Sequence, residues 1–251
     1  MVHFVGAGSG AADLITVRGA RLLNEADVII YAGSLVNPAL LDYARKGAEI
    51  HNSAKMTLEE VMDVISAAEA EGKNIVRLHT GDSSIYGAVR EQFDLLDDAG
   101  IEYDVCPGVS SFCGAAASLK TEYTLPGVTQ TVIISRAAGR TPVPDKESIR
   151  SLAAHKATMV LFLSMNIIDE LQAELIAGGL SEDTPAVIAY KATWPDERIY
   201  HCTVGTLAAT AKEYDVKRTA LVIVGEFLGK EYSRSKLYSP DFSTEYRSAK
   251  P

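Results

Sequence analysis

The sequence predicts an α/β protein of two domains, with a mostly parallel sheet in the N-terminal one and a mixed sheet in the C-terminal one. Three observations carry this. Short β-branched runs at 2–5, 28–31, 75–79 and 103–106 alternate with longer stretches of helical period, the pattern of parallel strands joined by crossover helices. In the second half, the adjacent runs 186–190 and 199–203 leave no room for a helix between them and imply an antiparallel hairpin. A Pro-Gly pair within 123–127 follows an alanine-rich helix and precedes a new strand, which sets domains at 1–122 and 123–229 and a polar, aperiodic tail at 230–251.

The first strand runs into Gly6-Ala7-Gly8-Ser9-Gly10-Ala11, and Asp13-Leu14-Ile15-Thr16 delays the next helix to Val17. After the second strand, the clearest helix starts at Thr57. Thr57 and Glu60 suit a capping box, while Val61, Val64, Ile65 and Ala68 line one face and Gly72 ends the segment. Strands at 75–79 and 103–106 complete the first domain. Beyond Lys120 the strands fall at 130–135, 159–163, 186–190, 199–203 and 220–224, with helices near 146–155, 166–177 and 205–214. The stretch 137–146, containing Gly139, Pro142 and Pro144, is long and rigid for a simple connection and is marked as functional.

Composition removes several classes of function. With 251 residues, 47% of them hydrophobic, the chain can bury a large core. A net charge of −9 argues against a nucleic-acid surface, which needs clustered Lys and Arg. No run reaches the ~18 apolar residues of a membrane span and no basic leader is evident, so no membrane partner and a cytoplasmic location are expected. Cys106, Cys113 and Cys202 lack CxxC spacing, and His3, His51, His79, His155 and His201 are scattered, so no protein-bound metal is expected.

The glycines after the first strand satisfy the GxGxx(G/A) fingerprint of a dinucleotide turn, but the second strand ends in Ala32-Gly33-Ser34 where a nicotinamide site wants an acid for the ribose. A tight structural turn accounts for the glycines equally well. Two further strands end alike, in Thr80-Gly81-Asp82-Ser83-Ser84-Ile85-Tyr86-Gly87 and Pro107-Gly108-Val109-Ser110-Ser111. Turn chemistry would explain any one of these loops; three at the carboxyl edge of one sheet favour a ligand.

The segments VGAGSGAADLITVRGARLLNEADVIIYAGSLV, HTGDSSIYG, CPGVSS, SRAAGRTPVP and YKATWPDE stand in an order and spacing that resemble the tetrapyrrole (corrin/porphyrin) methylase family over residues 1 to about 228. ADLITVRG, HTGDxxxYG, TQTVIISRAAGRTPVP and YKATWPDE together look like the branch acting on C11 of precorrin-4 or its cobalt complex. The chain departs from the usual pattern at Ser9 and Ser83, where most members carry Pro. The resemblance implies the two-domain fold of that family, a homodimer, and S-adenosylmethionine held in a cleft between the domains. It implies transfer of the sulfonium methyl to ring carbon C11 in cobalamin (vitamin B12) synthesis, with cobalt arriving in the substrate. The alternatives are methylation of another ring position, a nicotinamide-dependent oxidoreductase, or a non-catalytic nucleotide-binding module.

Carried onto this sequence, the family's cofactor positions are Ser9, Gly81, Asp82, Ile85, Ser110, Ser111, Leu163, Ala192 and Ala220, most contacting through backbone. Asp82 could accept from the cofactor's amino group or cap the next helix, and Leu163 could line an adenine slot or simply pack in the core. No catalytic triad is legible and no general base can be chosen. Arg136 and Arg140 are the expected contacts to substrate carboxylates, because guanidinium engages carboxylate bidentately. Lys55, Arg77 and Lys191 are weaker candidates, and Tyr86 and Trp194 could pack on a flat macrocycle or serve as anchors.

Overall fold

A computed structural model describes residues 1–250, which form two compact units. The first comprises Met1–Ser118 with Lys191–Arg198, and the second Leu119–Tyr190 with the residues from Ile199.

In the first unit, strands β1 (Val2–Gly6), β2 (Val28–Tyr31), β3 (Glu49–Asn52), β4 (Ile75–His79) and β5 (Tyr103–Cys106) form one sheet in the order β3-β2-β4-β1-β5. Every pairing in it is parallel. Alternation along the strands divides the apolar residues between two faces. Val5, Ile29, Val76 and Leu78 meet Leu22 and Leu23 of α1 (Val17–Glu25). Val2, Phe4, Val28, Ile30 and Ile75 meet Val61, Ile65 and Ala68 of α2 (Leu58–Ala70) and Leu96 of α3 (Arg90–Ala99). This is the right-handed crossover rule at work: the connection from β1 to β2 and those leading to β4 and β5 run in opposite directions and lie on opposite faces. Helix α4 (Ser111–Leu119) follows β5.

The second unit carries β6 (Val132–Arg136), α5 (Ile149–Ala153), β7 (Thr158–Phe162), α6 (Ile168–Ala177), β8 (Pro185–Tyr190), β9 (Arg198–Thr203), α7 (Leu207–Glu213) and β10 (Ala220–Val224). Its sheet order is β6-β7-β10-β8-β9, with β6 and β7 parallel and β10 antiparallel to both β7 and β8. The mixed sheet expected from the sequence is thus present. Met159, Leu161, Ile188, Val222 and Val224 pack with Ala153, Leu171, Leu175, Leu207 and Ala211 into this unit's own core. Beyond Phe227, Ser233 N donates to Pro126 O at 2.9 Å, and Arg247 donates to the carbonyls of Leu237, Ser239 and Phe242.

Candidate active site

In the first unit's sheet the neighbouring strands β4 and β1 send their connections, α3 and α1, to opposite faces, and such a switch opens a crevice at the carboxyl edge. There the glycine loops are joined to each other. Gly8 N donates to Gly81 O at 3.2 Å and Gly81 N to Gly8 O at 3.0 Å. A Cβ on Gly108 would lie 2.1 Å from Gly81 O, and one on Gly6 would lie 2.6 Å from Gly108 Cα. These glycines therefore let three loops pack backbone against backbone. Gly81 is different: its Cβ would meet nothing nearer than Ser110 Cα at 3.4 Å, although its φ of +63° still favours glycine.

Asp82 is already engaged. One carboxylate oxygen accepts from Ser84 N at 2.9 Å and from the Ser84 hydroxyl, and the other accepts from Gly108 N at 2.7 Å. Burial would raise its pKa, but the hydrogen bonds from Ser84 and Gly108 outweigh that and hold it below the ordinary value, so the carboxylate is ionised. Ile85, half-buried, continues the same loop and donates its N–H to Asp82 O at 3.2 Å. Ser110 is buried and its carbonyl accepts from Cys113 N in the first turn of α4, while Ser111 is half-buried.

Residues 191–198, in which the sequence singles out Lys191, Ala192 and Trp194 but not Thr193 or Glu197, hold the β1 loop. The buried Ser9 hydroxyl lies 3.1 Å from Thr193 Oγ1, which also accepts from Ala11 N at 3.1 Å. Thr193 has a φ of +66°, and its N–H donates to Glu197 at 2.5 Å. Glu197 in turn accepts from the Ser118 hydroxyl at 2.5 Å. A Cβ on Gly10 would fall 2.3 Å from Trp194 Cδ1 and 2.6 Å from the carbonyl oxygen of the buried Ala192. Trp194 thus packs on Gly10, with Lys191 Nζ 5.2 Å from its ring centroid and 2.6 Å from Asp196.

Behind the β4 loop lie two buried basic residues. Arg77 donates to Gln92 Oε1 at 3.0 Å and to Ile30 O at 3.2 Å, and is 6% exposed, which removes it as a direct substrate contact. His79, 4% exposed, stacks on Phe4, and burial together with the Arg77 charge lowers its pKa to about 3. Its Nε2 and the hydroxyl of Thr80 are buried without partners among the described residues.

In the second unit, Arg136, Leu163 and Ala220 reach one sheet edge. Arg136 and Phe162 pair at the ends of β6 and β7, Leu163 follows, and β10 begins at Ala220. Leu163 lies one residue past the strand, not within it as the sequence suggested, with φ of 53° and 60% exposure. It is therefore no core residue. Arg136 donates to the carbonyls of Ala137, Thr141 and Pro142 at 3.3, 3.1 and 2.8 Å, folding its own loop, whereas Arg140 is exposed. Among the described residues, no group of three or more His, Cys, Asp or Glu could hold a metal, and no helix is long and apolar enough to cross a membrane.

Comparison with known proteins places these loops in a family. A cobalt-precorrin-4 C(11)-methyltransferase of Methanocaldococcus jannaschii is 54% identical over 98% of this chain and 95% of that protein. One of Priestia megaterium is 45% identical over 98% and 97%. Among solved structures, a cobalt precorrin-4 methyltransferase described as a cobalamin biosynthetic enzyme superposes with a TM-score of 0.89 at 45% identity, over 91% of this chain and 96% of its own. The uroporphyrin-III C-methyltransferase of Thermus thermophilus, complexed with S-adenosylhomocysteine, gives 0.75 at 26% identity, over 90% and 92%. Residues 1–208 match the family model of the tetrapyrrole (corrin/porphyrin) methylases, and the chain belongs to that family.

Proposed function

We propose that the chain is an S-adenosylmethionine-dependent C-methyltransferase acting on C11 of cobalt-precorrin-4, with precorrin-4 as the metal-free counterpart. The observation that carries this is the 54% identity along 98% of the chain to a protein named for that reaction. Ser9, Gly81, Asp82, Ile85, Ser110, Ser111, Leu163, Ala192 and Ala220 are proposed to hold the cofactor, and the groups present suit it. An ionised Asp82 beside Gly81, where a Cβ would meet no atom nearer than 3.4 Å, complements a cationic sulfonium and amino group. Leu163, an aliphatic side chain held in solvent on a left-handed backbone, suits an aromatic base.

When bound, the cofactor supplies a methyl group already activated on sulfur. The chain's task is then alignment and exclusion of water, and positioning alone can supply ~7 to 11 kcal/mol. This suits a site whose loops are fixed to one another. Arg140 is proposed to meet a substrate carboxylate, and Arg136 to serve that contact by folding the loop that carries Arg140. Cobalt belongs to the substrate, with no protein-bound metal. A cytoplasmic homodimer without nucleic-acid or membrane partners, and folding domains at 1–122 and 123–229 with a tail from 230, complete the proposal.

The test is incubation with methyl-labelled S-adenosylmethionine and cobalt-precorrin-4 or precorrin-4 in parallel, locating the label by NMR. Label at C11 is expected. Transfer to another ring carbon, or to neither compound, would overturn the assignment.

A further inference from the structure

The loop between β4 and α3, residues 80–89, is held in a shape it would not keep alone. Tyr86 and Ala88 both lie on the left-handed side, at φ of 54° and 49°, and neither is glycine. Between them, Gly87 approaches the loop's own start so closely that a Cβ there would lie 2.1 Å from Ser83 O. Left-handed backbone costs about 1–2 kcal/mol for each non-glycine residue, so such a loop persists only where its surroundings fix it. Asp82 fixes the leading end, through Ser84 and Gly108.

The trailing end is fixed from inside the protein. Gln92, 5% exposed in the first turn of α3, donates from Nε2 to Ala88 O at 2.9 Å. Its other atom, Oε1, accepts from Arg77 Nε at 3.0 Å, while Arg77 Nη1 donates to Ile30 O at 3.2 Å in the neighbouring strand. The chain of bonds has a single direction. A guanidinium can only donate, so it fixes which end of the Gln92 amide faces it and leaves the NH2 group pointing at Ala88. Burying an arginine away from carboxylates is costly compared with an apolar side chain of similar size, so a core selected for stability alone has little use for one here.

We propose that Gln92, oriented by Arg77, is a positioning residue that latches the cofactor loop closed through Ala88. The latch rests on the reading of residues 80–89 as cofactor-binding. Gln92 touches neither ligand nor reacting atoms; it acts through the backbone that carries Ile85 and Asp82.

Gln92→Glu separates the latch from a merely structural role. A glutamate still accepts from Arg77, with the gain of opposite charge, but presents an acceptor to Ala88 O where the amide presented a donor. The melting temperature should stay near that of the wild type. In ligand-free protein, amide hydrogen exchange across 83–89 should quicken by roughly tenfold, and S-adenosylhomocysteine should bind about tenfold more weakly, the scale of one lost hydrogen bond. KM for S-adenosylmethionine should rise with kcat at saturation little changed. Unchanged loop exchange in Gln92→Glu overturns the latch. Faster exchange with unchanged affinity upholds the latch and overturns the reading of this loop as a cofactor contact. Should the variant not fold, the wild type still decides: the Gln92 side-chain NH2 protons, followed by NMR, should exchange as slowly as the loop amides, and rapid exchange overturns the proposal.

Discussion

At the scale of single residues, the structure separates side chains that resemble each other in sequence. Arg136 and Arg140 both sit in SRAAGRTPVP, but Arg136 holds three carbonyls of its own loop and Arg140 is exposed. Arg140→Ala should leave the melting temperature unchanged and weaken substrate by roughly ten- to hundredfold, as loss of a charge-assisted hydrogen bond would. Arg136→Ala should lower the melting temperature as well as weaken substrate; binding isotherms alongside thermal unfolding distinguish the two, and matching losses for both variants would refute the division. The glycines divide similarly. Gly10→Ala meets Trp194 and a φ of +156°, so it should cost several kcal/mol in urea unfolding, whereas Gly81→Ala should cost about 1 kcal/mol for its φ alone. The sequence marks both as close-approach glycines. It cannot show that Gly10 makes room for a tryptophan more than 180 positions further along, and that is why a fingerprint resembling a nucleotide turn is here largely a packing requirement.

At the scale of elements, legibility followed periodicity and caps. Strands at 28–31, 75–79, 103–106 and 220–224 have the bounds that β-branched runs predict; the first two and the last are largely buried, while 103–106 exposes Asp104 and Val105 and is delimited by the Pro107-Gly108 turn. The edge strand Glu49–Asn52 escaped notice: its sequence EIHN is short, mostly polar and largely exposed, so neither alternation nor hydrophobicity marks it. Strand ends in the second unit shift by one or two residues, as boundaries set by tertiary pairing do. Helix α2 was the most legible, and its capping box forms as read, with Thr57 N donating to Glu60 at 2.7 Å and Glu60 N donating to the Thr57 hydroxyl at 3.2 Å. Thr57→Ala should cost about 1 kcal/mol, a fall of roughly 2–4 °C in melting temperature for a chain of this size. Differential scanning calorimetry would show it, and a shift above the wild type would mean that the box contributes nothing.

At the scale of the whole molecule, each unit has its own sheet and core, but their polar contents differ. The second unit buries polar side chains only as hydroxyls, on Ser135, Thr158, Ser164 and Thr184, while the first buries Arg77 and His79 on the strand that leads into loop 80–89. Sequence could identify β4 but not the consequence of its alternation, which points Arg77 and His79 to the same side as Ile75 and away from water. That consequence is measurable as acid sensitivity. An imidazole in the unfolded chain titrates near 6.5, whereas buried His79 titrates near 3, held down by desolvation and then by Arg77. Between those values the unfolded chain binds a proton that the folded chain refuses. The neutral ring's contribution is therefore complete above pH 6.5 and falls as the pH drops toward 3, by about 1.4 kcal/mol per unit. Asp82 adds to acid lability only lower, below the ordinary carboxylate value, because its pKa is depressed. His79→Phe keeps an aromatic ring against Phe4 and removes the titration. Between pH 7 and pH 5 the wild type should lose on the order of 2 kcal/mol more stability than the variant. Urea unfolding of both proteins at the two pH values measures that difference directly; equal losses would mean that His79 takes up its proton in the folded state and is not held neutral by the core.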